Sequence, residues 1–225
     1  MARQTRKRGA PSSRATSAPR RSTPLGRPPV ISLEDILERA TALAGQVGVN
    51  RLTMSALADS LGVTATALYH YIPNREELVA LVVDAACDRV KDPPPGPWDL
   101  RLRTFERSVR VELRRIRFDM RDSFKAGRAR PSYQRLFEQG VTILSETGAD
   151  LQEVMLAYAT VAAFMTGQLW FDDSTRDQES GDPAYLMYLT VSGVEGALDS
   201  DDLFEYGLAR VIDGIRRRLD PKRSK

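Results

Sequence analysis

The stretch VTATALYHYIPNREEL, from Val63 to Leu78, holds the side chains best suited to polar recognition. It contains the only histidine of the chain, which has a tyrosine on each side. Hydroxyl, phenol and imidazole groups can hydrogen-bond to phosphates and to base edges, and a core-facing helix rarely carries so many of them together. We therefore expect a surface that contacts a polar partner, formed by Thr64, Thr66, Tyr69, His70 and Tyr71.

Start and stop signals divide the surrounding residues into four short helices that position this stretch. Small polar residues that cap helix N-termini precede each apolar pattern, and glycine or proline follows it. The start signals are Ser32, Thr53, Thr64 and Asn74, and Ser32 resembles a capping box with Asp35. The stop signals are Gly48, Gly62 and Pro73.

The second and third of these helices match a helix-turn-helix, whose second helix enters the DNA major groove. Ala58 is small where the two helices approach, and Gly62 can adopt the left-handed conformation of the turn. The third helix is expected to bury Leu68 and Ile72. It then turns its small and polar residues outward, namely Ala65, Thr66, Tyr69 and His70.

The segment DPPPGP, from Asp92 to Pro97, separates this head from a larger second module. Apolar residues continue at helical spacing beyond it, and no alternation typical of β-strands competes, so the predicted fold class is all-α. We predict a helix-turn-helix domain over residues 31–91 and a C-terminal helical domain over residues 98–220.

Residues 1–30 form a basic arm with eight Arg and Lys and no acid, whereas 25 basic residues face 30 acidic ones in the remainder. Their Arg, Ser and Pro content predicts disorder. Such an arm is either a solvated tail or a contact with nucleic acid. Ahead of a DNA-binding head we favour the second reading and include Arg27 among the DNA-contacting residues.

The cysteine count and the apolar segments indicate the compartment. The single cysteine, Cys87, excludes an intramolecular disulfide and suits a reducing cytoplasm. No secretory signal is expected. The uncharged run from Val154 to Phe171 approaches the length of a membrane span, but its threonines, glycine and alanines favour a helix buried in an all-helical protein or dimer, so no membrane partner is expected.

Catalytic signatures do not stand out. The chain has no nucleophile elbow, no phosphate-binding glycine loop and no histidine in its larger module. Acidic pairs such as Asp172–Asp173 and Asp201–Asp202 lie near helix ends, where we interpret them as solvated caps. We therefore expect no enzyme activity and no cofactor or metal.

The stretch GVNRLTMSALADSLGVTATALYHYIPNREELVALVVDAA closely resembles the N-terminal domain of TetR-type repressors. The resemblance covers about 50 residues. The C-terminal module resembles the tetracycline-repressor branch more loosely, through the uncharged helix before Asp172 and the segment DDLFEYGLARVIDGI. The residues that carry the N-terminal signature are Leu57, Ala58, Leu61, Gly62, Val63, Leu68, Tyr69, Tyr71, Asn74, Arg75 and Leu78.

This resemblance implies contacts with a double-stranded DNA operator. Tyr71 has the alternative of packing against the first helix, and His70 that of a structural histidine. The residues implied are Thr53 and Ser55 at the start of the second helix, Thr64, Ala65, Thr66, Tyr69, His70 and Tyr71 on the third, and Arg75, which would contact a phosphate.

The resemblance further implies a homodimer, formed mainly by the uncharged helix and the last helix, and release from DNA by a small effector. Aromatic content favours a hydrophobic or aromatic effector, although such residues also form ordinary cores. The candidate pocket residues are Phe105, Val109, Phe118, Phe124, Tyr133, Phe137, Met155, Tyr158, Phe164 and Trp170.

Two further points follow from the resemblance. The family's tetracycline-binding members hold a magnesium–drug chelate with C-terminal histidines, whereas here the only histidine is in the head and Lys91 stands where one is expected. Magnesium–tetracycline is therefore not the expected effector. The alternative to a ligand-responsive repressor is a ligand-independent or architectural DNA-binding protein.

Overall fold

The computed structural model describes residues 31–118, 130–176 and 200–219. Across these ranges the regular structure is helical and contains no β-strand, which confirms the all-α prediction. A single turn of 3-10 helix, Val49–Arg51, follows the first α-helix. The α-helices are α1 (Leu33–Val47), α2 (Met54–Leu61), α3 (Ala65–Tyr69), α4 (Arg75–Asp88), α5 (Trp98–Arg115), α6 (Pro131–Ser145), α7 (Leu151–Arg176) and α8 (Ser200–Leu219).

All four predicted N-caps of the head are confirmed. Ser32 and Asp35 form a reciprocal capping box at α1. The side chains of Thr53, Thr64 and Asn74 each accept a hydrogen bond from the backbone N–H three residues later, at 3.1, 3.2 and 2.7 Å. Each bond satisfies a donor that the first turn of a helix leaves free, so local sequence sets where these helices begin.

The turn between α2 and α3 depends on Gly62. Its backbone is left-handed, with φ 68° and ψ 29°, and its N–H donates to the carbonyls that end α2. This conformation costs little without a Cβ atom. The turn directs α3 across α2, and α3 ends at Tyr69, before the predicted stop signal Pro73.

Helix α4 connects the head to the rest of the molecule. It packs against α1 on one side and against α5 and α6 on the other. Burial therefore extends around most of its surface and includes Leu78, Val79, Ala80, Val82, Val83, Ala86 and Cys87. Helix α4 therefore contacts both the head and the body.

The body is formed by α5, α6, α7 and α8, with α7 in contact with the other three. The stretch Leu151–Asp173 of α7 is long and apolar enough to cross a membrane by length and composition, but a helix in a protein core passes the same test. Val154, Val161 and Met165 are buried against the body. Leu151, Leu156 and Trp170 on the same helix are exposed in the described part of the chain.

Candidate nucleic-acid interface and internal cavity

Helix α3 presents a polar face outward from an apolar anchor. Leu68 and Ile72 are almost fully buried. Thr66 and His70 are exposed, as are Tyr69 and Tyr71, whose exposed fractions are 52% and 44%. Ala65 is half-buried at the start of the helix. Thr66, Tyr69, His70 and Tyr71, the four predicted side chains here that can hydrogen-bond, therefore share one accessible surface with Thr64.

The threonine caps retain a donor for a ligand. The oxygens of Thr53 and Thr64 accept backbone N–H groups, but a hydroxyl group can also donate its own proton. Both threonines and Ser55 are exposed at the N-termini of α2 and α3. Phosphates bind favourably at such termini, so a backbone contact from these hydroxyls stays a prediction.

Arg75 has a structural role that the sequence interpretation did not include. Its Nε donates to the Leu52 carbonyl at 2.8 Å, and another of its nitrogens donates to the Asn50 carbonyl. These bonds fix the segment before α2 against the start of α4. A phosphate contact from Arg75 stays a prediction, and Arg27 lies outside the described residues.

A cavity of about 110 Å³ lies inside the body between α5, α6 and α7. Five of the ten predicted pocket residues line it, namely Phe105, Val109, Phe118, Tyr133 and Tyr158. The sequence interpretation missed the remaining lining residues, which are Glu106, Leu113, Leu136, Ala162, Met165, Thr166 and Leu169.

Four other predicted pocket residues lie outside this cavity. Phe137 packs edge-on against Tyr158, with ring centres 5.0 Å apart, and so supports the cavity wall. Phe164 stacks on Phe204 of α8 at 6.1 Å. Met155 and Trp170 are exposed, at 37% and 54%. Helical spacing alone could not separate Met155, Phe164 and Trp170 from the positions that line the cavity, because α7 has apolar residues on all sides. Phe124 lies outside the described residues.

Glu106 is the one carboxyl group among the described residues that line the cavity. Its side chain is 4% exposed, and within the described ranges no hydrogen bond or ion pair reaches it. Burial raises its pKa to about 8, because the apolar surroundings disfavour the charged form. Burial also raises the pKa of the neighbouring Tyr158, with a further contribution from the Glu106 charge.

A buried ion-pair network lies between α5, α7 and α8. Two nitrogens of Arg110 donate to the two carboxylate oxygens of Asp172, each at 2.8 Å, and a third donates to Asp201 at 2.8 Å. Burial would raise the pKa of Asp172, but hydrogen bonds from Arg110, Ser200 and Gln168 lower it below its usual range. The interpretation of Asp172 as a solvated cap is wrong, because this residue is 3% exposed.

The end of α5 is hydrogen-bonded to both the head and α7. The N–H of Val49, beside α1, donates to the Ile116 carbonyl at 2.9 Å. Arg117 donates from one nitrogen to the Gln46 carbonyl at 3.2 Å and from Nε to Asp173 at 2.5 Å. The next residue, Phe118, lines the cavity. The cavity wall and the head are thus separated by a single short segment.

A helix-turn-helix head joined through α4 and α5 to a helical body with an internal cavity defines a class of DNA-binding regulators. Residues 36–82 match the profile described as bacterial regulatory proteins, tetR family. Residues 91–219, more than half of the chain, match the tetracyclin repressor-like C-terminal domain. The chain belongs to the tetR family of bacterial regulatory proteins.

Curated relatives and solved structures agree with this assignment. The chain is 26% identical over 215 residues to the HTH-type transcriptional repressor Rv1353c of Mycobacterium tuberculosis, covering 84% of this chain and 82% of that protein. It is 27% identical over 195 residues to the class A tetracycline repressor protein from transposon 1721 of Escherichia coli, covering 81% and 89%. The Streptomyces coelicolor TetR family protein ActR, in complex with actinorhodin, has the same fold, with a TM-score of 0.63, 23% identity and coverage of 84% and 99%.

Proposed function

We propose that this protein is a transcriptional repressor that binds a near-palindromic operator as a homodimer and releases it when a small organic molecule occupies the cavity. The observation that carries the proposal is the outward face of α3, whose polar side chains surround the buried anchors Leu68 and Ile72. Named repressors among its relatives support the regulatory role, and a cytoplasmic location and the absence of enzyme activity accord with that role.

In this proposal α3 recognises the DNA sequence, and residues at the N-termini of α2 and α3 hold the head in position on the DNA backbone. Thr66, Tyr69 and His70 are placed to reach base edges or phosphates in a major groove. Thr53 and Ser55 on α2 and Thr64 at the α3 cap contact the backbone, which fixes the orientation of the head on the duplex. In a dimer the two α3 helices would occupy successive major grooves about 34–36 Å apart.

The dimer is supported by exposed apolar residues on the two helices that the family resemblance implies. Leu156 of α7 and Tyr206 of α8 are 57% and 69% exposed. Gly214 of α8 has open space above it, which permits a close approach of a second chain. Gly207 of the same helix offers no such space, because the ring of Phe164 from the same chain lies directly over it.

Release by an effector follows from the junction at the end of α5. Phe118 lines the cavity, and the adjacent Arg117 bonds to Gln46 of α1 and to Asp173 of α7. A ligand that displaces Phe118 would therefore shift contacts with the head. Effector binding and DNA binding then compete through the spacing of the two heads.

A ligand-independent or architectural DNA-binding protein is the alternative function. Its binding would depend steeply on salt and would show no preferred sequence. The cavity in the body favours the ligand-responsive repressor, because binding to the DNA backbone alone does not require a ligand cavity.

Selection of bound sequences from random duplex DNA by the full-length protein tests the proposal. We expect a near-palindromic motif that Thr66→Ala and His70→Ala each bind more weakly, by about five- to a hundredfold. Glu38→Ala is the matched control, because this residue is exposed on α1 away from α3. Recovery of no motif, or equal losses in all three variants, would contradict the proposal.

A further inference from the structure

We infer that the cavity selects an effector with a protonated amine attached to a small apolar or aromatic body, and that the Glu106 carboxylate pairs with the amine. The inference rests on the proposed function, since it names the chemical class of the molecule that the repressor senses. It depends on three features of the cavity, which are its lone acid, its aromatic walls and its size.

The first feature is a buried acid that has no hydrogen-bond or ion-pair partner among residues 31–118, 130–176 and 200–219. Arg110, one helical turn further along α5, is engaged with Asp172 and Asp201. Among the described residues, no lysine or arginine lines the cavity. An unpaired buried carboxylate is costly, and it is retained where it neutralises a bound cation or where protonation removes its charge. Glu106 therefore offers a ligand cation the one strong counter-charge that the described part of the cavity wall contains.

The second feature is the surroundings of Glu106. Aromatic rings of Phe105, Phe118, Tyr133 and Tyr158 line the same space. The faces of such rings attract cations and also accommodate an apolar body. An anionic ligand would face both the acid and the ring faces, so this cavity disfavours it.

The third feature limits the size of the ligand. The volume of about 110 Å³ is of the same order as cavities that admit a benzene-sized molecule, about 150 Å³. A small arylalkylamine such as benzylamine therefore suits the cavity. Benzyl alcohol has the same shape and no charge, which makes it the matched neutral probe.

Calorimetric titration of the full-length protein with benzylamine and with benzyl alcohol tests the inference. At pH 8 we expect the amine to bind about ten- to a hundredfold more tightly, the range of a charge-assisted hydrogen bond. Glu106→Gln should abolish this preference and leave the affinity for the alcohol unchanged. Glu205→Gln is the matched control, because that acid pairs with Arg107 at the surface, away from the cavity.

A second measurement needs only the wild-type protein and so does not depend on folding of the variant. The titratable side chains that line the cavity with Glu106 are Tyr133 from α6 and Tyr158 from α7, and burial raises the pKa of Tyr158 further from neutrality. Below pH 8 a proton competes with the amine for Glu106. The affinity for benzylamine should fall about tenfold per pH unit between pH 7 and pH 6, while that for benzyl alcohol stays constant.

The outcomes separate this inference from the proposed function. Equal affinity for the two probes, no binding of benzylamine, or a preference that survives Glu106→Gln would overturn it and would leave Glu106 as a protonated core residue. Operator binding is measured on the same samples without probe. If the operator is bound and the amine is not, the inference fails alone; if no operator is bound, the proposed function fails.

Discussion

Two buried acids show how neighbouring groups decide the state of a residue. Glu106 and Asp172 are both almost inaccessible to water. Asp172 has a bidentate partner in Arg110 and stays ionised, whereas burial alone acts on Glu106 and raises its pKa to about 8. One acid therefore stabilises the fold as an ion, and the other is held as a neutral group that a change of ligand or pH can ionise.

Glu106→Gln should remove a loss of stability at alkaline pH. The pKa of Glu106 in the folded protein, about 8, lies above its ordinary value of 4.5, so the folded state binds this proton more tightly than the unfolded chain. The stability that protonated Glu106 contributes to the wild type is then fully present below pH 4.5 and is lost as the pH rises through 8. This loss amounts to up to a few kcal/mol. Glutamine does not ionise.

Urea denaturation at pH 5, 7 and 9 and at one protein concentration measures this effect. The free energy of unfolding of Glu106→Gln relative to the wild type should increase with pH. If the free energies of unfolding of the two proteins changed with pH in parallel, ionisation of Glu106 would not destabilise the folded state. Glu205→Gln should keep the wild-type loss at alkaline pH, since the Glu205 side chain is 40% exposed and pairs with Arg107 at the surface.

Arg110→Ala should be strongly destabilising because it leaves Asp172 buried without its main partner. Removing one member of a buried ion pair costs about 3–5 kcal/mol. Arg114→Ala provides the comparison, because its Nε lies 3.3 Å from Asp172 and its side chain is 30% exposed; its cost should be below about 1 kcal/mol. Thermal and urea unfolding at pH 7 measure both values, and similar losses in the two variants would contradict the assignment of Arg110 as the main partner.

At the scale of elements, local signals predicted where helices begin, and long-range packing determined what they bury. The caps at Thr53, Thr64 and Asn74 depend on atoms three residues away, so the sequence revealed them. The burial of α4 depends on α1, α5 and α6 at once, so helical spacing in the sequence could not show how far around the helix it extends. Pairing of Asp172 with Arg110, 62 positions earlier in the chain, had no local signal at all.

The turn between α2 and α3 yields a prediction at this scale. Gly62→Ala should destabilise the head by about 1–2 kcal/mol, because a residue with a Cβ atom is disfavoured at φ 68°. No atom lies within 4 Å of the added methyl group, so the cost arises from the backbone alone. Operator affinity should fall with it, since the same turn sets the angle of α3.

Gly96→Ala is the control for this substitution. It also adds a methyl group into open space, but its backbone lies outside the left-handed region. Its free energy of unfolding should stay within about 0.5 kcal/mol of the wild type. If Gly62→Ala were equally neutral, the left-handed turn would not limit the stability of the head.

At the scale of the whole molecule, the exposed apolar surface on α7 and α8 determines whether two heads can act together. Leu156 of α7 is 57% exposed and lines a groove with Gly214 and Ile215 of α8. Apolar residues concentrated on one surface mark an interface, whereas a single exposed leucine elsewhere needs no such explanation.

Leu156→Arg should therefore convert the dimer into monomers, because it places a charge in an apolar interface next to Arg210 and Arg218 of the same groove. Leu100→Arg is the matched control, since Leu100 is 56% exposed on α5 and lies outside α7 and α8. Sedimentation velocity gives the mass of each variant. A monomer contacts only one half-site, so operator affinity should fall by at least about a hundredfold while binding to an isolated half-site is unchanged. A dimer that survives Leu156→Arg, or one that Leu100→Arg disrupts, would move the interface away from α7 and α8 and would require a different spacing of the two α3 helices on DNA.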